Sequence, residues 1–151
     1  MPRVIILDSS PLGLIVQRLD NKRADECRQW LAQHVEGGAD VLVSDVIDYE
    51  VRRELLRLRL AQAIDRLDAF YTNPFVRRLP VTDASLRLAA DLWARARQEG
   101  TPTADPQALD IDVVLAAQTL LCGVPADELV VATSNVVHLS LFVPAQDWWS
   151  I

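Results

Sequence analysis

Asp8, Glu50, Asp112, Thr133 and Asn135 are the positions whose side chains and placement could carry chemistry. Asp8 closes the apolar run Arg3-Val4-Ile5-Ile6-Leu7, and Thr133-Ser134-Asn135 closes a later one at 129–132. Glu50 lies in Tyr49-Glu50-Val51-Arg52-Arg53-Glu54-Leu55, one helical turn beyond Val46 and Ile47 and at the border of an apolar stripe. A carboxylate there is costly unless it is paired or holds a cation. Asp112 belongs to Asp110-Ile111-Asp112-Val113-Val114-Leu115-Ala116-Ala117, where it shares a helix face with Leu115 and Ala116. Three carboxylates in one crevice repel and raise one another's pKa. A bound Mg²⁺ or Mn²⁺ removes that penalty, because hard cations take oxygen ligands.

Each residue also has a plainer reading. Asp8 can serve as an N-cap, Asn135 as a turn residue, and Glu50 as a border residue paired with Arg53. Asp110 suits the first turn of a helix through its dipole alone. Glu54, one turn beyond Glu50, reads as solvated. Arg52, Arg53, Arg57 and Arg59 follow Glu50 on the same helix, as a solvated face or as a phosphate track beside the site.

The elements that would place these groups alternate in type. Residues 3–7 form a continuous β-branched apolar run, which is a strand buried on both faces, as in a parallel sheet. Asp8-Ser9-Ser10-Pro11 stops it with a turn or helix start. Residues 23–35 have helical spacing, with Cys27, Trp30 and Leu31 as the stripe, and Gly37-Gly38 ends that helix. A short strand follows at 40–43. Ser44-Asp45 caps a helix with Ile47, Val51, Leu55 and Leu58 on its apolar face. A further helix runs to about Tyr71, where Asn73-Pro74 breaks it, and a third strand is expected at 75–79. An amphipathic helix over 83–98 closes at Gly100. Residues 101–107 read as a loop, 110–121 as a helix and 129–132 as a buried strand. The alternation predicts a single domain over 1–151, a three-layer α/β/α sandwich around a parallel sheet. In such sheets ligands bind outside the carboxyl ends of the strands, where the strand order reverses.

Composition narrows the function classes. The 151 residues are 50% hydrophobic and carry a net charge of −6. A negative chain does not attract nucleic acid globally, so any RNA contact must come from local arginines. The charge equally suits a cation-binding carboxylate cluster or a basic partner protein. There is no apolar run of transmembrane length and no signal peptide pattern. Cys27 and Cys122 lie in apolar helical patterns without metal spacing, so a reducing, cytoplasmic setting is expected. GxGxxG and GxxxxGK[ST] are both absent. A receiver-type phosphoacceptor needs a lysine after a late strand, and Lys22 is the only lysine. Trp93, Phe70 and Tyr71 read as core or dimer contacts, His34 as helix surface, and Trp148-Trp149 as packing for a last strand or an interface.

Taken in order, Asp8, Glu50, Asp112 with Leu115-Ala116-Ala117, and Thr133-Ser134-Asn135 resemble the PIN-domain superfamily, within which the length is similar to that of VapC-like toxins. Ala89-Ala90-Asp91-Leu92-Trp93-Ala94-Arg95 with Gly100 also resembles the helix and loop before that family's third acid. The resemblance implies a Mg²⁺- or Mn²⁺-dependent endoribonuclease, the toxin of a toxin–antitoxin pair. RNA would be the substrate, a cognate antitoxin the partner, and a homodimer the assembly. It implies Asp8 and Asp112 as primary metal ligands, Glu50 as a ligand or acting through a bound water, and Thr133 and Asn135 as orienting groups. One departure stands out: the fourth position is Asn135 rather than an aspartate. That weakens a second metal position unless Asp110 or Asp105 compensates. It also leaves room for a related scaffold that binds RNA or protein without cutting.

Overall fold

The computed structural model describes the backbone of residues 1–100 and 106–151, and the side chains of 1–100 and 110–151. Strand β1 (Val4–Leu7) leads into helices α1 (Ser9–Ile15) and α2 (Lys22–Glu36). Strand β2 (Asp40–Ser44) leads into α3 (Asp45–Arg57) and α4 (Ala61–Phe70). Strand β3 (Val76–Leu79) leads into α5 (Asp83–Gln98) and α6 (Pro106–Leu120). Strand β4 (Leu129–Thr133), α7 (Val136–Leu139), β5 (Ala145–Asp147) and a 3₁₀ turn at Trp148–Ser150 complete the order. All pairings are parallel, in the order β3-β2-β1-β4-β5. The chain first steps outward from β1 to β3, then returns to the other side of β1. The order therefore reverses between β1 and β4.

Every residue of β1 and β4 is buried. Side chains alternate between faces along a strand, so helices must cover the sheet on both sides. This is the expected α/β/α sandwich, and right-handed crossovers place α1–α4 on one face and α5–α7 on the other. The core joins Ile5, Ile6 and Leu7 to Val41, Val43, Val131 and Ala132 between helices that contribute Leu12, Cys27, Ile47, Leu67 and Leu115.

Four local expectations need correction. The helix expected over 110–121 begins at Pro106. Proline's fixed φ and missing N–H suit a first helical turn, so it opens this helix instead of ending the loop. Asp112 consequently lies in the second turn, away from the capping positions. The helix carrying Glu50 ends at Arg57, and Arg59 occupies the turn beyond it with φ +57°. His34 is buried rather than on the surface; its ring packs 5.4 Å from that of Trp30, and its Nε2 lies 3.3 Å from the Ile151 carbonyl. Trp148, folding back onto α2, gives that helix a wider buried face than its aliphatic residues suggest. Finally, β5 and α7 are too short to leave a periodic signature.

A buried polar link ties the neighbouring strands β2 and β3 to α6. Gln118 donates from Nε2 to the Leu79 carbonyl at 3.0 Å and accepts the Ser44 hydroxyl. Ser44 in turn accepts from the Val46 backbone N–H at 3.1 Å and so caps α3. Replacing Gln118 with leucine keeps the bulk but leaves the Leu79 carbonyl without that donor. The expected cost is about 1–3 kcal/mol, or roughly 2–10 °C in melting temperature for a chain of this size. A melting curve for Gln118→Leu that superimposes on wild type would remove this link from the fold's framework.

Candidate active site

The carboxyl ends of β1 and β4 supply the floor of an acidic cleft. Asp8 follows β1 directly and is the N-cap of α1, accepting the Ser9 backbone N–H on Oδ1 at 2.7 Å. Its other oxygen accepts the Thr133 hydroxyl at 2.6 Å. Thr133, the last residue of β4, is fully buried and accepts the Asn135 backbone N–H at 2.7 Å. The capping role of Asp8 is thus real, and it coexists with a cross-strand contact that no cap requires. Ser10 binds the two loops together by accepting the Ser134 backbone N–H at 3.0 Å.

Asp112 and Glu50 approach from two helices. Asp112 is 7% exposed and accepts the Asn135 side-chain amide on Oδ2 at 3.0 Å. His138 Nδ1 lies 3.8 Å from the same oxygen. Glu50 is half-buried, and its Oε1 accepts the Ser9 hydroxyl at 3.4 Å. Ser9 therefore links the loop of Asp8 to the helix of Glu50. The cleft between them has a volume of about 350 Å³, with Asp8, Glu50, Asp112, Ser9, Arg53 and Asn135 on its walls.

Burial raises the pKa of all three carboxyl groups, and Glu50 and Asp112 also sense their acidic neighbours. Burial raises the pKa of Asp8 against the opposing hydrogen bonds of Thr133 and Ser9. Burial raises Glu50 as well, and the charge of Asp8 adds to it. Asp112 is pushed up to about 7, first by burial, then by the charges of Asp8 and Glu50, with the Asn135 hydrogen bond opposing. Among the described residues, no three carboxylate, imidazole or thiol side chains are gathered tightly enough to enclose a cation by themselves. The donor set is nevertheless all hard oxygen, mutually repelling and open to the cleft. Mg²⁺ keeps several waters and takes only one or two carboxylates directly, so an open, partly hydrated site of this kind fits it.

Other residues singled out from the sequence fall elsewhere. Asp110 is exposed and does not line the cleft, and Asp105 lies outside the described residues. Glu54 is exposed and paired with Arg57, as its solvated reading required. Arg52 is not a free basic group: it forms a two-pronged pair with buried Asp48 at 2.9 and 3.1 Å and reaches Asp68 at 2.8 Å. Of the four arginines, Arg53 alone reaches the cleft. Sequence reasoning missed Ser9 and Ser10 as site residues. Their hydroxyls directly after Asp8 were the available signal, read only as a turn.

The parallel sheet, with its carboxylates gathered at the point where the strand order reverses, defines an α/β domain with an acidic crevice site. The chain belongs to the PIN domain family, whose model matches residues 5–139. Solved structures with the same fold include FitAcB from Neisseria gonorrhoeae, at 20% identity and a TM-score of 0.68, covering 97% of this chain and 99% of that one. VapBC2 from Rickettsia felis, bound to a DNA fragment from its promoter, shares 12% identity with a TM-score of 0.67, over 96% and 98% of the two chains. VapC20 from Mycobacterium tuberculosis, a toxin that cleaves the sarcin-ricin loop, shares 14% identity with a TM-score of 0.65, over 92% and 95%. At these identities the likeness is one of fold. No curated protein sequence is significantly similar to the chain.

The raised pKa of Asp112 gives a stability prediction with a definite sign. Between about pH 4, the ordinary aspartate range, and about 7, its folded-state value, the folded protein holds a proton that the unfolded chain has lost. Stability in EDTA should therefore fall as pH rises through that window. Asp112→Asn removes the ionisation, so its melting temperature at pH 8 should exceed that of wild type by a few degrees, with the gap closing near pH 4. A variant that melts below wild type at pH 8 would show that Asp112 does not bear this repulsion.

Proposed function

We propose that this chain is a Mg²⁺- or Mn²⁺-dependent endoribonuclease that hydrolyses RNA phosphodiester bonds, and that it acts as the toxin of a toxin–antitoxin pair. The observation that carries the reading is the gathering of three carboxylates with raised pKa values, Asp8, Glu50 and Asp112, around one cleft at the reversal point of a PIN-domain sheet. Structural neighbours that include two toxin–antitoxin complexes and an RNA-cleaving toxin support it at the level of fold.

Asp8 and Asp112 would hold the cation, with Glu50 completing its shell directly or through water. Such a cation would supply positive charge to activate a water and to stabilise a phosphoryl group. The protein's own share is orientation. Thr133 fixes Asp8 through a 2.6 Å hydrogen bond, and Asn135 holds Asp112 from the same loop. Groups of this kind typically matter tenfold to a hundredfold in metal affinity. Asn135 brings no negative charge, so the reading favours a single resident cation. A small antitoxin, a homodimeric assembly and a cytoplasmic setting complete the proposal. Among the described residues no helix is long and apolar enough to cross a membrane. The rival reading, a scaffold that binds without cutting, draws on Asn135 and on the absence of a closed three-ligand cage among those residues.

Two measurements separate these readings. Purified protein should cleave RNA with Mn²⁺ or Mg²⁺ and stop in EDTA, and Asp8→Ala should be slower by at least about a hundredfold (roughly 2.7 kcal/mol). Equal cleavage by wild type and Asp8→Ala would identify a contaminating nuclease and end the assignment. Mn²⁺ at a hundred times its dissociation constant should stabilise wild type by about 2.7 kcal/mol, and Asp112→Asn should lose most of that gain. A full metal response in the variant would take Asp112 out of the site.

A further inference from the structure

Tyr49 and Arg53 lie on α3 either side of Glu50, and neither belongs to the hydrophobic core. Tyr49 precedes Glu50 and keeps 59% of its surface exposed. Among the described residues the other exposed aromatic is Trp149, which packs on Trp148 and Arg23 against α2. Arg53 is one turn further along α3, and its guanidinium stands 5.1 Å from the Tyr49 ring centroid. Arg53 also lines the carboxylate cleft beside Glu50.

The neighbouring arginines are committed elsewhere. Arg52 is locked to Asp48 and Asp68, Arg57 to Glu54, and Arg78 to Asp45. Among the described residues Arg53 has no carboxylate within ion-pair distance, although it sits on a protein of net charge −6. It is a cation at the mouth of an acidic cleft, paired with the face of an aromatic ring.

Resting on the nuclease reading, we propose that Tyr49 and Arg53 form a nucleotide subsite beside the carboxylates, selecting single-stranded RNA. Arg53 takes the backbone phosphate next to the scissile one, and the attached base stacks on the Tyr49 ring and its guanidinium cover. Phosphate and base of one nucleotide are joined through a single sugar, which matches a cation and a ring held in contact. Stacking needs an unpaired base, because the faces of a paired base are covered by its neighbours in the helix. The charge complementarity commits the surface to a polyanion. An apolar helix partner would have to desolvate Arg53 without neutralising it.

The test uses the full chain in EDTA, which stops cleavage, with short single-stranded ribo-oligonucleotides carrying 2-aminopurine and the matching duplex as probes. Wild type should bind the single strand more tightly than the duplex and quench the 2-aminopurine. Tyr49→Ala should lose the quenching and about tenfold in affinity, Tyr49→Phe should retain both, and Arg53→Gln should lower the salt slope by about one. Quenching and affinity unchanged in Tyr49→Ala overturn the subsite while leaving cleavage, and thus the nuclease reading, intact. Wild type that binds no RNA and cleaves none overturns both together. A Tyr49→Ala protein that sediments at a different size from wild type, with normal quenching, assigns the surface to contact with a second copy and overturns the proposal.

Discussion

Negative charge crowded into a half-buried cleft is the condition to which the rest of this structure answers. Asp8 cannot leave it, because its backbone continues β1 in the middle of the sheet. Asp112 and Glu50 are delivered by helices whose apolar faces are committed to the core. With the three positions set by packing, the protein's remaining freedom lies in hydrogen bonding. Thr133, Ser9 and Asn135 each donate to one of the three carboxylates. These donors lessen the strain without abolishing it: burial first, then the charges of Asp8 and Glu50, keep the pKa of Asp112 near 7 against the Asn135 hydrogen bond. Repulsion left unrelieved among carboxylates is what a bound cation would remove.

Most of the sheet was legible in the sequence because parallel strands covered on both faces must be continuously apolar, and few other structures write that pattern. Asp8 and Thr133 were legible for the same reason: a polar residue at the end of such a run marks the strand's carboxyl end. Asp112 was found through its apolar neighbours, yet its position in the helix was misjudged because the start at Pro106 carries no amphipathic signal. The burial of His34 was out of reach, since it depends on residues more than a hundred positions away folding back over α2. The fate of the arginines was only partly written in the run around Glu50. Asp48, four residues before Arg52 on the same helix, was the signal that could have told Arg52 from Arg53; the second partner of Arg52, Asp68, comes from α4.

The Asp48 network shows how a charge can be buried at a tolerable cost beside a site that exploits the opposite condition. Two hydrogen bonds from Arg52 and one from the Tyr71 hydroxyl saturate its carboxylate, and its pKa is lowered despite burial. Two residues along the same helix, Glu50 has one weak donor and a raised pKa. Helix α3 thus carries a satisfied acid facing α4 and an unsatisfied one facing the cleft.

The hydrogen bond between Thr133 and Asp8 joins residues 125 positions apart. During synthesis Asp8 is made more than a hundred residues before β4. Until β4 arrives, one edge of β1 has no neighbour, the floor of the cleft is missing, and Asn135 is not yet there to hold Asp112. A nascent chain therefore carries all three acids before it has a place to gather them, and the strand order leaves the cleft without its floor until β4 has been made.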